Sequence, residues 1–227
     1  MISLIQSGDG NEWVWPYWWY YYKKYWIGDI KTIFATEVKP INYEGITHIA
    51  TGTGVWSKRM LSLLEKIEDE YVLFWHEKNF VVEMVNFECL QEIEKAMIEY
   101  NIPAVKVCGK DAGWHGTTNR MPKSKIWVYD RYLNHYPINL DYIVSHQPTI
   151  WNKEFLKSTI MPNENKCGIH ECQGTIRLRQ QGIGVYAYVS DEDWPKCQPI
   201  PYVESVRAGK IWKGFEKYFE IKEINNA

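Results

Sequence analysis

The sequence predicts an α/β fold, a central mixed and mostly parallel sheet flanked by helices, and three stretches carry that expectation. Tyr71-Val72-Leu73-Phe74-Trp75 is an apolar run too short for a membrane span and rich in aromatic and β-branched side chains, so it reads as a buried strand of a parallel or mixed sheet. Residues 46–67 read as strand, Gly-containing loop and helix: ITHIATG is followed by Met60, Leu61, Leu64 and Ile67 at helical spacing. Residues 87–100 form an amphipathic helix with Phe87, Leu90, Ile93, Met97 and Ile98 apolar, and strand-like IPAVKVCG (102–109) comes next. Strands alternating with helices in this way pack as a sheet between helical layers.

Composition narrows the class. The 227 residues suffice for one large domain or two small ones, and with no linker, repeat or low-complexity segment residues 1–227 read as a single one. A net charge of -2 gives no sign of a protein that coats a polyanion. The chain holds 12 Trp and 16 Tyr against 7 Phe, which suits cores with hydrogen-bonded seams and also sugar-stacking surfaces. Five cysteines without regular spacing argue against a disulfide scaffold and fit a reducing compartment. MISLIQSGDGNEW lacks the basic start and apolar core of a signal peptide, so a soluble, cytoplasmic protein is expected.

In chain order, residues 2–6 read as a first strand and Ser7–Asn11 as a loop. WVWPYWWYYYKKYW (13–26) reads as an amphipathic helix starting near Pro16, with Tyr17, Tyr20, Tyr21 and Lys24 on one side. Residues 29–37 and 46–52 read as strands. The loop Thr51-Gly52-Thr53-Gly54 leads to Ser57, a possible helix cap, and to Lys58 and Arg59, a pattern that can cradle a phosphate at a helix N-terminus. It matches neither the nucleotide-triphosphate loop nor G-x-G-x-x-G. The strand at 71–75 ends in His76-Glu77-Lys78-Asn79, and ligands of open α/β sheets sit beyond such strand ends. Lys110–Lys125 reads as a long polar loop; IWVYDRY and YIVSHQPTIW read as strands, and 152–160 as a short helix. Residues 161–190 join a polar loop or helix start to a strand, and WKGFEKYFEI (212–221) reads as a terminal strand or hairpin. Cys167, His170, Cys172 and Cys197 could ligate zinc, although Cys167-x4-Cys172 misses the usual paired spacing.

The order of a Trp/Tyr-rich start, TGTGVWSKRMLSLLEKIEDEYVLFWHEKNF, SHQPTIWNKEFL and NENKCGIHECQGTIR resembles small GT-A-type glycosyltransferases of phages, giant viruses and bacterial surface-polysaccharide clusters. The resemblance runs over about residues 11–180 and implies a GT-A-like, Rossmann-like domain. It implies that Glu77 sits at the acidic strand end that helps hold Mn²⁺ or Mg²⁺ against the donor diphosphate, and that Glu171 is the catalytic base. It places Thr51, Gly52, Ser57, Arg59, His76 and Lys78 on the donor side, and Trp15, Gln147, Trp151, His170 and Arg177 toward substrate. The chain departs from the pattern at Glu77-Lys78-Asn79, where an acidic pair is usual, and at Asn165-Lys166-Cys167, which lacks the usual Pro-Trp.

The resemblance implies transfer of a sugar from a nucleotide-diphosphate donor to an acceptor hydroxyl, inverting at the anomeric carbon. Such transfer needs a base for the acceptor proton and positive charge on the leaving diphosphate, from a metal or from Lys78 and Arg59. The expected acceptor is a glycan. A hydroxymethylated base in phage DNA, met by Lys110, Arg120, Lys123 and Lys125, is the alternative, as is a protein of this fold that binds without catalysis. If viral, the protein would act in the host-cell cytoplasm.

Overall fold

A computed structural model describes residues 1–107, 122–136, 138–188 and 198–225. In chain order it contains β1 (Ile2–Gln6), a 3-10 turn (Asp9–Val14), α1 (Trp15–Tyr25), β2 (Thr32–Thr36), β3 (Ile46–Ala50), α2 (Trp56–Glu65), β4 (Tyr71–His76) and β5 (Asn79–Val81). There follow α3 (Phe87–Glu99), β6 (Ala104–Lys106), β7 (Lys123–Val128), β8 (Arg131–Tyr136), β9 (Thr149–Asn152) and α4 (Lys153–Thr159). The remainder comprises α5 (Cys167–Gln181), β10 (Val185–Ala187), β11 (Tyr202–Glu204), β12 (Val206–Arg207), β13 (Lys210–Ile211) and α6 (Lys222–Asn225).

Nine strands form one sheet in the order β3-β2-β1-β4-β9-β6-β10-β8-β7. Only β9 and β8 run against the others, so the sheet is mixed and mostly parallel, as the sequence predicts. Two short antiparallel pairs, β11 with β5 and β12 with β13, lie outside it. The chain steps outward from β1 to β2 and β3, then returns to β4 on the other side of β1. The carboxyl ends of β1 and β4 therefore flank a topological switch point, the position where open α/β sheets leave a crevice.

Side chains alternate across this sheet. Ile5, Phe34, Leu73 and Trp75 face α1 and α3, while Leu4, Ile33, Val72 and Phe74 face α2, α4 and α5. Many of the Trp and Tyr residues form the hydrogen-bonded core seams expected of them. Trp75 Nε1 donates to Ser3 Oγ at 3.0 Å, Trp15 Nε1 to Ser7 Oγ at 2.7 Å, and Tyr22 Oη to Thr32 Oγ1 at 2.7 Å. The buried stripe of α1 is Trp15, Trp18 and Tyr22, whereas Tyr20, Tyr21 and Lys24 line an outer cleft.

Several expectations are corrected. Ser57 is not the cap of α2; Val55 holds that position with no side-chain bond, and Ser57 lies inside the first turn. Residues 167–181 make a full helix, and only 149–151 of the 142–151 stretch is strand, within β9. In the tail a 3-10 turn at Glu216–Phe219 stands where a strand was expected. Lys123 and Lys125 lie on β7, while Lys110, Arg120 and Cys197 fall outside the described residues. No helix among the described residues is long and apolar enough to cross a membrane.

Phe34 is fully buried between Trp15 and Trp18. Phe34→Ala should destabilise the fold by about 3–5 kcal/mol, read as a lower urea midpoint at unchanged slope.

Candidate functional site

The switch point brings together residues from five parts of the chain. Gln6 and His76 are register partners at the ends of β1 and β4. His76 Nε2 lies 3.0 Å from His146 Nδ1, His146 Nε2 lies 2.8 Å from His170 Nδ1, and His170 Nε2 lies 2.9 Å from Thr159 Oγ1. The Thr159 hydroxyl in turn donates to the Leu156 carbonyl at 2.7 Å.

That last bond sets the direction of the row. A hydroxyl has one proton, and a carbonyl can only accept. His170 Nε2 must then donate to Thr159, which leaves His170 Nδ1 to accept from His146 Nε2–H. The His146 Nδ1 lone pair consequently faces His76. Burial, followed by the neighbouring charges of His76, His170 and Lys78, holds the His146 pKa well below the ordinary histidine value. Burial and then Arg177 lower that of His170 to about 3, so both rings are neutral. Trp56 lies face-on to His146 and His170, and Phe74 meets His146 edge-on.

At the open end of the row His76 meets Cys167 and Glu77. Burial opposes a charge on His76, but the Cys167 hydrogen bond and Glu77 outweigh it and raise its pKa to about 10. Burial pushes the Cys167 thiol up, and His76 more than offsets this, leaving it below the ordinary thiol value. Glu77 is buried; its Oε1 accepts from Asn11 Nδ2 at 2.7 Å, and its Oε2 has no hydrogen bond and lies 3.6 Å from His76 Nδ1. Glu171 Oε1 accepts the His146 backbone N–H at 2.8 Å. Lys78 pairs with Glu204 at 2.9 Å; burial alone would lower its pKa, but Glu204, with Glu171 and Cys167 behind it, raises it. Lys78 thus lies within electrostatic range of Glu171 and Cys167, while its ion pair is with Glu204.

The segment carrying His146 is held from two sides. Lys106 Nζ donates to the Tyr142 carbonyl at 2.6 Å and to Ser145 Oγ at 2.8 Å. Thr175 Oγ1 accepts the Val144 N–H at 3.1 Å, and a Cβ at Gly174 would come within 3.0 Å of the Val144 side chain, so glycine lets α5 approach this closely.

Of the residues expected at the site, Glu77, His76, Lys78, His170 and Glu171 converge, and Gln147 adjoins His146. Trp15 is 5% exposed in the α1 core and Trp151 fully buried against Phe155, so neither presents a ring face to a sugar. His170 is fully buried, with both nitrogens engaged, which removes it from substrate contact and from the Cys167/Cys172/Cys197 zinc grouping. Arg177 and Ser57 both bind Glu164 and tie α5 to α2. The Thr51 and Gly52 amides donate to the Thr36 and Glu37 carbonyls, and Arg59 bonds Thr51, Gly54 and Glu37, so this loop is tied to the end of β2. Sequence reasoning missed His146, Thr159 and Asn11, and placed Cys167 with other partners. The one available signal was a histidine directly before Gln147.

Mg²⁺ and Mn²⁺ favour oxygen ligands. Among the described residues, the His, Cys, Asp and Glu side chains grouped closely enough to share an ion are His76, His146 and Cys167, which offer ring nitrogen and thiol sulfur. This donor set does not suit the hard ion that the sequence resemblance implies.

No family model and no curated protein matches the sequence. Solved structures match it at low identity. S. aureus TarS 1-349 in complex with UDP has a TM-score of 0.50 at 14% identity, covering 85% of this chain and 61% of that one. The same protein in complex with UDP-GlcNAc has a TM-score of 0.50 at 15% identity, covering 83% and 58%. CMP:2-keto-3-deoxy-manno-octonic acid synthetase complexed with CTP has a TM-score of 0.49 at 11% identity, covering 83% and 88%. The chain is a GT-A-like α/β protein of Rossmann type and spans about three fifths of the TarS 1-349 chain.

Thr159→Val would leave the His170 Nε2–H buried without an acceptor and should cost ~1–3 kcal/mol in unfolding free energy. Nitrogen NMR shifts of the unmutated protein should show His146 and His170 as neutral Nε2–H tautomers. An Nδ1–H tautomer at His170 would reverse the direction of the row.

Proposed function

We propose that this chain transfers a sugar from a nucleotide-diphosphate donor to a glycan hydroxyl. The observation that carries the reading is the Glu171 carboxylate held by the His146 backbone N–H, in the segment whose imidazole meets His76 at the end of β4, next to buried Glu77. The binding of UDP and UDP-GlcNAc by TarS, which has the same fold, supports a uridine-diphosphate sugar as the donor class.

In this reading the Glu171 carboxylate takes the acceptor O–H proton as the acceptor oxygen bonds to the anomeric carbon. The bond from that carbon to the diphosphate oxygen breaks, its electron pair leaves with the diphosphate, and the configuration inverts. Lys78, rather than Mn²⁺ or Mg²⁺ on Glu77, supplies positive charge near the leaving group. The His146 N–H orients the Glu171 carboxylate and leaves one of its oxygens for the proton.

The Lys78–Glu204 ion pair favours a second reading, a protein of this fold that binds the donor without turning it over, since it draws off the nearest cation. Turnover separates the two. Glu171→Gln should lower the transfer rate at least ~100-fold while leaving donor binding in place; unchanged turnover would remove Glu171 from the role. UDP at one hundred times its dissociation constant should stabilise the fold by ~2.7 kcal/mol, visible as a raised melting temperature. No shift with any nucleoside diphosphate would count against both readings.

A further inference from the structure

We propose that His76, His146 and Cys167 form a site for a borderline-soft transition metal ion of the Zn²⁺ class, with a fourth position open to water or a substrate oxygen. The potential ligand atoms of the three residues lie within 4.8 Å of one another. Around a tetrahedral Zn²⁺ such atoms would sit ~3.3–3.6 Å apart. His76 Nε2 and His146 Nδ1, at 3.0 Å, are a few tenths of an ångström short of that edge. The two nitrogens face each other, and either a proton or a cation must lie between their lone pairs.

The surroundings are those of a prepared metal site. A metal-binding histidine usually donates its other N–H to a fixed acceptor, which sets its tautomer and aims its lone pair. His146 does so through Nε2 to His170, and that ring is itself anchored on Thr159. His76 has the matching feature on its far side, where the otherwise unbonded, buried Glu77 Oε2 lies 3.6 Å from Nδ1. With Nδ1–H turned to Glu77, His76 Nε2 is free to ligate. Cys167 opens α5 and supplies a soft sulfur donor, the ligand type that selects Zn²⁺ over Mg²⁺. Two neutral imidazoles and one thiolate on a divalent ion leave a net charge of +1 at the sheet's carboxyl end. Three protein ligands with an open position match catalytic rather than structural zinc sites. The site stands on these distances whether or not the chain transfers sugar.

The test uses the full-length protein, stripped with chelator under reducing conditions and reloaded. One Zn²⁺ per chain should survive desalting, read by elemental mass spectrometry. Co²⁺ in its place should give a thiolate-to-metal charge-transfer band with the visible bands of a tetrahedral ion. Cys167→Ser should abolish the charge-transfer band, and Cys172→Ser, an exposed position on α5, should leave it intact. Thr159→Val, which alters only the far end of the histidine row, should weaken Zn²⁺ binding ~10–100-fold. In the unmutated protein Zn²⁺ should protect Cys167 from iodoacetamide, a readout that needs no variant to fold. Substoichiometric metal, a cobalt spectrum indifferent to Cys167, or equal alkylation with and without Zn²⁺ would each overturn the site. UDP binding and turnover are measured separately, so failure of the transferase reading leaves the metal result standing, and the reverse.

Discussion

One hydroxyl proton sets the polarity of the interior at the end of this sheet. Thr159 directs it at the Leu156 carbonyl, near the C-terminus of α4, and the buried rings beyond are left with one self-consistent arrangement. Buried polar groups without partners are costly, so a row of three imidazoles persists only when every donor meets an acceptor. The single open valence lies at the His76 end, beside Cys167 and Glu77. Any chemistry the row performs is confined to that end.

The rest of the architecture keeps the row in place. β1 pairs with β4 along its whole length and brings Gln6 and His76 side by side at the crevice. Trp56 covers the rings and also bonds Gln6 Oε1 through Nε1 at 3.3 Å. Glu164 accepts from Arg177 and bonds Ser57 through its backbone N–H, holding the start of α5, and hence Cys167, against α2. Lys106 and Thr175 hold the segment that delivers His146. Ser57, expected on the donor side from the sequence, serves one of these tethers, while Arg59 ties its own loop to the end of β2.

Sharing a fold with TarS defines what scaffold this is, and scaffolds of this kind host many chemistries. The functional case rests on the side chains at the switch point. There the chain combines a glutamate held by a backbone amide, a lysine paired with Glu204, and ring nitrogens and a thiol grouped closely enough to share a metal ion. That combination makes metal preference and sugar transfer separable questions in this molecule.

The sequence by itself determined the sheet and most of its helices, because period and burial are local properties of a chain. Tyr71–Trp75 read as a buried strand, and Leu90, Ile93 and Met97 as one side of a helix, and the structure has them so. It also marked the strand end at His76-Glu77 as the first place to look for a site. What only the tertiary structure decided was which histidines meet. His76, His146 and His170 stand 70 and 24 residues apart along the chain, with no spacing rule to link them. Their contact depends on the crossover that returns β4 to the side of β1 and on the close approach of α5 at Gly174. Packing between layers sets both, and one-dimensional periodicity carries no record of it.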